Sequence, residues 1–154
     1  MIVFELSHLF YQCDDEIMYS PKGLGLYSSR ESATDAKAYF SMQPGFRENQ
    51  NAFSLRERSV QGTVFDGEVF EAIIYLHSED YEIEHVIELG LYGDALSAHQ
   101  KLADYCKDNP SIIKGCNLIA EEIVNKCILE RKEWSEGFCY EKTGNGDLSG
   151  NETV

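Results

Sequence analysis

A four-residue string that occurs twice constrains this chain more than any other feature. Leu24-Gly25-Leu26-Tyr27 reappears unchanged as Leu89-Gly90-Leu91-Tyr92. The same landmarks surround each copy in the same order: an apolar run beginning Val-Phe-Glu, an acidic turn, the repeated string, an alanine-bearing segment and a proline. They are offset by 65 or 66 residues, so one gap aligns them all. The sequence therefore predicts the internal duplication of one structural unit.

Each half begins with a predicted β-hairpin. Residues 2–11 alternate with period two, and a return strand is expected at about 17–27, interrupted near Ser20-Pro21. In the second half, the run 69–78 is apolar on both faces, which is typical of a covered strand, and residues 81–92 alternate. The predicted core-facing residues are Ile2, Phe4, Leu6, His8 and Phe10 in the first strand, and Ile83, His85, Ile87, Leu89 and Leu91 in the fourth.

A helix is predicted after each repeated string. In the first half, Ser28 and Glu31 have the spacing of a capping box, and the helix is expected to reach about Met42 with Ala33, Ala36 and Phe40 buried. Pro44-Gly45 ends it and Phe46 is expected to fold back as a hydrophobic plug. In the second half, Asp94 is the expected N-cap and Asp108-Asn109-Pro110 the stop. The buried stripe of this second helix is predicted to be Ala98, Leu102, Ala103 and Cys106.

Strands are expected to close each unit. The first closing strand is predicted at 53–60, with Phe53 and Leu55 on one face and charged residues opposite. Its counterpart is predicted at 129–134, after an inserted helical turn or two, although a continuous helix over 118–132 is an open alternative. Gly23 and Gly25 leave one strand face bare, which predicts the close approach of a helix or, as the alternative, of a ligand.

These elements predict an α+β fold of two tandem β-β-α-β repeats, with an antiparallel sheet and the helices on one face. The first unit is expected at 1–60 and the second at 68–142, joined by a linker at 61–67. The tail at 143–154 lacks periodicity and is predicted to be disordered. The two units are expected to dock as one domain, because each alone is marginal in size.

Two motifs support a resemblance. The first is G-x-Y-S-S, alanines at helical spacing and P-G-F-R, from Gly25 to Arg47, and the second is the W-S-E-G-F of residues 134–138. Together they resemble an uncharacterised family of small bacterial domains, here in a duplicated version. The second half departs from the pattern, with Gly93-Asp94 and Pro110-Ser111-Ile112 in place of the Y-S-S serines and P-G-F. Domains of this type are similar to bacterial immunity proteins, the antidotes of secreted toxins, which implies a binding role.

Composition limits the partners and the compartment. Twenty-seven acidic residues against 13 basic ones give a formal charge of −14. This charge disfavours binding to nucleic acid and to anionic membranes, and it favours a basic partner. The alternative is that the acidity only keeps the protein soluble. Five cysteines without a C-x-x-C pair argue against a disulfide framework. With no basic-then-apolar leader and no apolar run of about 20 residues, the sequence predicts a cytoplasmic protein.

Recognisable catalytic chemistry is not expected. The sequence contains no phosphate-binding glycine loop, no G-x-S-x-G and no histidine pair at helical spacing. His77 and His85 flank a hairpin turn but supply only two metal ligands. We therefore predict a protein that is not an enzyme and that uses no metal or cofactor.

Surface residues carry the functional prediction. Acidic hairpin tips set among tyrosines are typical of a surface that binds a basic protein, since charges steer the encounter and aromatic rings anchor it. We predict an immunity protein, monomeric or homodimeric, that occludes the active site of a basic toxin such as a nuclease. The alternative is a small-molecule-sensing or regulatory domain with a pocket between the sheet and the helices. The predicted partner-binding residues are Asp14, Asp15, Glu16, Tyr75, Glu79, Asp80, Tyr81, Glu82 and Glu84.

Overall fold

The protein has an α+β fold dominated by strands, as expected. The computed structural model describes residues 1–12, 18–78, 83–111, 118–134, 139–142 and 148–151. The elements in this part of the chain, in order, are β1 (Ile2–Gln12), β2 (Met18–Tyr27), α1 (Arg30–Phe40), a 3-10 segment (Arg47–Ala52), β3 (Phe53–Gln61), β4 (Glu68–His77), β5 (Ile83–Tyr92), α2 (Ala95–Asp108), β6 (Ile119–Ile128), β7 (Cys139–Lys142) and β8 (Leu148–Asn151).

Six of these strands form one mixed sheet in the order β2-β1-β3-β5-β4-β6. The expectation of a purely antiparallel sheet is wrong, because Val60 and Gln61 of β3 pair in parallel with Leu91 and Tyr92 of β5. The reason is topological. The chain leaving β3 passes to the far side of β5 to form β4, and the β4–β5 hairpin then returns β5 alongside β3 in the same direction. Strands β7 and β8 pair separately. β8, Leu148–Asn151, lies in the tail at 143–154 that was predicted to be disordered, so that prediction is wrong for these four residues.

The chain divides into two compact units that interleave in sequence. The α1 unit contains Val3–Glu57 and Glu130–Val154, and the α2 unit contains Met1–Ile2 and Arg58–Leu129. Residues from Glu130 onwards therefore group with the first predicted repeat, whereas the sequence-based boundaries assign them to the second.

The core of the α1 unit forms around α1 and the β1–β2 hairpin. The predicted helical stripe is confirmed, and Phe46 is fully buried as the predicted plug. The capping residue differs from the prediction: Ser29, not Ser28, accepts the hydrogen bond from the backbone N–H of Ser32, at 3.0 Å. The fully or nearly fully buried residues of this core are Leu6, Leu24, Tyr27, Ala33, Ala36, Phe40 and Phe46.

The burial at the start of β1 departs from the predicted alternation. Val3, assigned to the outward face, is fully buried, while Ile2, assigned to the core, is 50% exposed. His8 is fully buried, as its position on the apolar face predicts. The side chain of Phe10 lies outside the described residues. Pro21 does not interrupt β2, because β2 is an edge strand on which a missing N–H is tolerated.

The two Leu-Gly-Leu-Tyr strings adopt the same local structure. Each string forms a β-bulge in which its first leucine, Leu24 or Leu89, is the extra residue between two paired ones. The glycine that follows has a φ of 125° in the first string and 124° in the second, a conformation that L-residues rarely adopt. In both strings the tyrosine hydroxyl donates a hydrogen bond to the carbonyl of the first leucine, at 2.9 Å and 3.1 Å.

Backbone, rather than a helix or a ligand, approaches the first of these glycines. A Cβ at Gly25 would lie 2.4 Å from the carbonyl oxygen of Arg131, while a Cβ at Gly23 would have no neighbour within 4 Å. The predicted packing of a helix on both glycines is therefore wrong. The next residue towards the N-terminus, Glu130, fixes this approach: its N–H donates to the carbonyl of Leu26 at 2.9 Å.

The α2 unit forms its core between α2 and strands β4, β5 and β6. Strand β4 is buried along most of its length, as its apolar run predicts. Asp94 is the N-cap of α2 and accepts from the N–H of Ser97 at 2.8 Å, which confirms that prediction. Of the predicted stripe, Ala98 and Leu102 are buried and Ala103 is exposed. His85, predicted to face inward, is exposed.

Strand β6 occupies a stretch for which the sequence analysis predicted an inserted helical turn, a continuous helix being the alternative. Ile119–Ile128 is a strand, and all ten of its residues pair with β4. The predicted strand at 129–134 is absent, since Leu129 and Glu130 form a turn. Helix propensity favoured the wrong state because the pairing edge of β4 lies far away in sequence, and tertiary pairing overrides a weak local preference.

A candidate acidic binding face

Most of the predicted binding residues lie outside the described part of the chain. These are Asp14, Asp15, Glu16, Glu79, Asp80, Tyr81 and Glu82, together with the side chain of Glu84. Tyr75 is the predicted residue whose surroundings the structure defines. It lies near the end of β4, two residues before the strand ends at His77. The candidate site is therefore built outwards from Tyr75.

Strand β4 has two different faces. One packs against α2 through Ala72, Ile74 and Leu76. Alternate residues lie on the other face. Of these, Val69 and Ile73 are buried. The remaining ones, with cross-strand neighbours on β5 and β6 and one arginine of β3, form a surface that we call the acidic face. Its residues are Arg58, Glu71, Tyr75, His77, Val86, Glu88 and Glu121.

Tyr75 lies at the centre of the acidic face. Its direct partners across the ladder are Val86 on β5 and Glu121 on β6. Burial raises the pKa of the Tyr75 hydroxyl, and the carboxylates of Glu71, Glu121 and Glu88 raise it further, because negative neighbours disfavour a phenolate. The hydroxyl therefore remains protonated and able to donate at neutral pH.

One guanidinium organises two of the carboxylates. Arg58 forms an ion pair with Glu71, and both side chains are largely buried, at 10% and 15% exposure. A second nitrogen of the same guanidinium lies 3.6 Å from a carboxylate oxygen of Glu88, whose side chain is 41% exposed. Burial strengthens such a pair because little water screens it. Glu71 is thus a fixed structural charge, while Glu88 remains accessible to a partner.

The most accessible carboxylate of the face is Glu121. Its side chain is 59% exposed, and its Oε2 lies 3.7 Å from Nε2 of the buried His77. Val86, opposite Tyr75, is 50% exposed. The face therefore combines exposed negative charge with a partly buried aromatic ring and an exposed aliphatic side chain. Three carboxylates and one guanidinium give it a formal charge of −2, with histidine neutral.

Sequence reasoning missed the contributions of Arg58, Glu71, His77 and Glu121 to this face. Period-two alternation along β4 carried a signal for Glu71, Tyr75 and His77, which share one parity. No local signal exists for Arg58 or Glu121, because their positions depend on how β3 and β6 are placed in the sheet.

A surface cavity lies in the α1 unit. A cavity of about 280 Å³ is lined by the consecutive residues Glu48, Asn49, Gln50, Asn51 and Ala52 of the 3-10 segment. The hydrogen bond from Arg47 is the main cause that holds the pKa of Glu48 below its usual range. Nε2 of the buried His8 donates to the carbonyl of Asn49 at 3.0 Å, which ties this segment to β1.

The ionisable groups of the described residues are not arranged for metal or thiolate chemistry. No group of three or more His, Cys, Asp or Glu side chains within those ranges could hold a metal ion. Burial, followed by the interaction with Glu122, raises the pKa of the Cys106 thiol to about 11. At neutral pH this thiol is protonated and is a poor nucleophile.

Comparisons with known proteins do not assign the chain. No protein-family model, no curated protein and no solved structure matches it. Across the described ranges, α1 and α2 have 11 and 14 residues, and no helix there is long and apolar enough to cross a membrane.

Proposed function

We propose that this protein is a non-enzymatic, acidic binding protein that acts as an immunity protein and neutralises a basic bacterial toxin, with a nuclease as the expected target. The single observation that carries the proposal is the acidic face. There, the accessible carboxylates of Glu88 and Glu121 flank Tyr75 and the exposed Val86. A partner that cleaves nucleic acid needs a positive active site, and this face is complementary to one.

The expected mechanism is occlusion. The formal charge of −14 attracts a basic partner over a long range and raises the association rate. On contact, Glu88 and Glu121 pair with lysine or arginine side chains of the toxin, while Tyr75 and Val86 bury apolar area. Arg58 keeps Glu71 and Glu88 in place, so little side-chain entropy is lost when the complex forms.

The hairpin residues named from the sequence extend the proposed surface. Glu79, Asp80, Tyr81 and Glu82 lie between β4 and β5 in the chain, directly after the strand that carries Tyr75. Asp14, Asp15 and Glu16 hold the corresponding place between β1 and β2. A cytoplasmic setting is supported by the free thiols of Cys106 and Cys127.

We also propose that the chain arose by duplication of one β-β-α-β unit. The pairing registers support this: Phe4 with Tyr27, Glu5 with Leu26 and Leu6 with Gly25 in one hairpin match Phe70 with Tyr92, Glu71 with Leu91 and Ala72 with Gly90 in the other. The resemblance to small bacterial domains stays a proposal; Gly25–Arg47, which carries its first motif, and Trp134, which opens its second, lie in the same compact unit.

Binding to toxins tests the proposal. The purified chain is titrated against basic nuclease toxin domains from the same organism, at low and at moderate salt. We expect tight binding that weakens with salt and inhibition of the nuclease. Reversal of Glu88 and Glu121 to lysine is expected to weaken binding by about tenfold or more. The matched control reverses Asp104 and Asp108 of α2, which changes the net charge equally and should weaken binding no more than about threefold.

Three outcomes would contradict the proposal. The first is an absence of binding to any such domain, and the second is binding without inhibition. The third is equal weakening of binding by the two double variants, since this would mean that the net charge of the protein, and not the acidic face, determines the affinity. Reversal of Glu79, Asp80, Glu82 and Glu84 to lysine tests the extension of the surface to the hairpin in the same assay.

The second candidate function is a small-molecule-sensing or regulatory domain. The observation that favours it is the cavity of about 280 Å³, which is lined by Glu48–Ala52 of the 3-10 segment and not, as the sequence analysis expected, by the sheet and the helices. Its lining of carboxylate and amide side chains suits a small polar ligand. The test is a thermal-shift screen of polar metabolites against the full chain and against the Asn51→Leu variant. A ligand that raises the melting temperature of the first but not of the second supports this candidate, and no hit counts against it.

A further inference from the structure

Strand β6 ends the sheet and differs from the strand at the other end. All ten of its residues pair with β4 in an unbroken register. None of the ten is buried, and within the described residues β6 is the last strand in the sheet order. The opposite edge strand, β2, carries Pro21 and the Leu24 bulge, which are devices that block further strand addition. β6 contains neither device.

We propose that β6 pairs antiparallel with β6 of a second copy of this chain and forms a two-fold symmetric homodimer. In such an isologous contact the same strand serves both partners. A two-fold axis perpendicular to the sheet pairs residues that lie on the same face, so only registers centred on a residue are allowed. The proposed register places Val124 on the axis, opposite its own counterpart.

This register brings together the opposite charges on the face of β6 where Ala120 and Val124 pack against the core of the α2 unit. With Val124 at the centre, Glu122 of each copy lies opposite Lys126 of the other, which creates two cross-strand ion pairs. Beyond them, Ala120 lies opposite Ile128, whose side chain is 41% exposed in the single chain. Val124 itself forms an apolar pair on the axis. Cross-strand pairs of opposite charge and of apolar residues are the units that stabilise antiparallel strands.

Neighbouring registers lack this match. Centring on Ile123 sets Glu122 against Val124, and centring on Glu122 sets two like charges directly opposite each other. Centring on Asn125 sets Glu122 against Ile128. None of these alternatives forms the two Glu122–Lys126 ion pairs, which occur only when Val124 lies on the axis. The charges on β6 thus select one self-pairing rather than merely blocking all of them. On the other face of β6, the proposed register sets Glu121 opposite Cys127 and Ile123 opposite Asn125.

The paired charges are accessible. The Lys126 side chain is 51% exposed and its Nζ lies 2.5 Å from the carboxylate of Glu68 on β4. An ammonium has three donors, so Lys126 can bridge Glu68 and the Glu122 of a second copy. Glu122 is exposed and interacts with the Cys106 thiol, and its carboxylate retains acceptor capacity.

The dimer goes beyond the proposed function and does not depend on it. A two-fold axis perpendicular to the sheet maps each face of one copy's β4–β5–β6 ladder onto the same face of the other copy's ladder. The acidic faces of both copies would therefore point in one direction. Toxin binding and self-association are measured separately, so one can fail without the other.

Sedimentation velocity across micromolar concentrations tests the proposal with charge-swapped variants of the full chain. Wild type is expected to dimerise. Glu122→Lys places lysine opposite lysine, and Lys126→Glu places glutamate opposite glutamate. Each should weaken dimerisation by about tenfold or more, since two cross-strand pairs turn repulsive. An equimolar mixture of the two variants should restore a dimer, because both of its ion pairs have opposite charges again.

The mixture also controls for misfolding, because a variant that failed to fold would not form a dimer with the other variant. Lys101→Glu on the exposed surface of α2 is the control with the same change of charge as Lys126→Glu, and it should dimerise like wild type. A wild type that stays monomeric at every concentration overturns the proposal, and a strand of another protein then becomes the candidate partner of β6. Single variants that dimerise as wild type does, or a mixture that stays monomeric, also overturn it.

Discussion

The bulge at Gly25 and the bulge at Gly90 share their strand register, their glycine conformation and their tyrosine hydrogen bond, but different segments pack on them. A Cβ at Gly25 would lie 2.4 Å from the backbone oxygen of Arg131. At Gly90 the nearest atom would be 3.5 Å away, in the flexible side chain of Gln61. The repeated string thus determines the bulge, while residues outside the repeat determine how tightly it is covered.

At the turn after each tyrosine, the α2 unit is the more closely packed of the two. A Cβ at Gly93 would lie 2.2 Å from the carbonyl oxygen of Thr63. Its counterpart Ser28 is exposed, and its N–H and hydroxyl both donate to Glu130, at 2.8 and 2.5 Å. Desolvation alone would raise the pKa of Glu130, but the hydrogen bonds from Ser28 hold it below its usual range. In each unit, a segment from elsewhere in the chain packs tightly against the repeated string or the turn after it. The tight contact is at the glycine of the string in the α1 unit, Gly25, and three residues after the corresponding glycine in the α2 unit, at Gly93.

The largest expected effect separates the two bulge glycines. Gly90→Ala should cost about 1–3 kcal/mol, the usual strain of a non-glycine residue in a sparsely populated backbone region. Gly25→Ala should cost more than about 3 kcal/mol, because a backbone clash with Arg131 adds to the same strain. Urea unfolding followed by circular dichroism measures both values. Equal losses would mean that the covering segments do not differ in tightness.

The next effect concerns the turn positions. Gly93→Ala should cost about 1–3 kcal/mol through overpacking against Thr63, whereas Ser28→Ala should cost less than about 1 kcal/mol because its partner Glu130 is exposed to water. Urea unfolding compares the two variants in one buffer. A greater loss in Ser28→Ala than in Gly93→Ala would break the comparison.

Acid is expected to weaken the α1 unit more than the α2 unit. His8 and Ile74 occupy matching strand positions and both are fully buried. Burial lowers the pKa of His8 from 6.5, with Lys22 adding to this and the carbonyl of Asn49 opposing it. As the pH falls through about 6.5, His8 therefore becomes protonated in the unfolded chain but remains neutral in the folded chain. Stability should fall as the pH drops below this value, by at most about 1.4 kcal/mol per pH unit.

Fluorescence of the single tryptophan, Trp134, reports on this effect because it packs against the core of the α1 unit. His8→Ile, which introduces the side chain found at the matching position 74, should flatten the acid dependence, while His99→Gln on the exposed surface of α2 should leave it unchanged. Persistence of the full slope in His8→Ile would assign the acid sensitivity to other groups.

The smallest expected effect distinguishes the two tyrosine hydroxyls. Tyr27→Phe should cost about 1 kcal/mol and Tyr92→Phe less, because a hydrogen bond contributes most when its loss leaves a buried group unsatisfied. The hydrogen bond from Tyr27 to the carbonyl of Leu24 is buried, whereas the one from Tyr92 to the carbonyl of Leu89 is only partly buried. Thermal unfolding measures the difference. A greater loss in Tyr92→Phe would contradict it.

Local chemistry was readable from the sequence and distant pairing was not. Asp94 as a cap, Phe46 as a plug and the apolar run of β4 depend on neighbours in the chain, and each prediction was confirmed. The strand at β6, the parallel contact of Val60 with Leu91 and the closeness of Arg131 to Gly25 depend on where remote segments enter the sheet.

The candidate site follows the same rule. The sequence analysis could propose Tyr75 because an aromatic residue beside an acidic hairpin has a local signature, and its role in binding stays a prediction. The roles of Arg58 and Glu121 could not be predicted, because the first pairs with Glu71 from another strand and the second reaches Tyr75 only through the β4–β6 register. The acidic character of the surface could be predicted from the sequence, but which residues form the acidic face depends on the order of the strands in the sheet.

The interleaving of the two units sets the order in which the chain can fold during synthesis. Nearly all of the α2 unit, Arg58–Leu129, is translated between the two parts of the α1 unit. As the chain leaves the ribosome, Gly25 and Ser28 emerge early but must wait for Arg131 and Glu130. The α2 unit can therefore mature while the α1 unit is still open. Until Glu130 and Arg131 are made, the α1 unit lacks the residues that cover Gly25 and Ser28, which is the stage at which a chaperone would act.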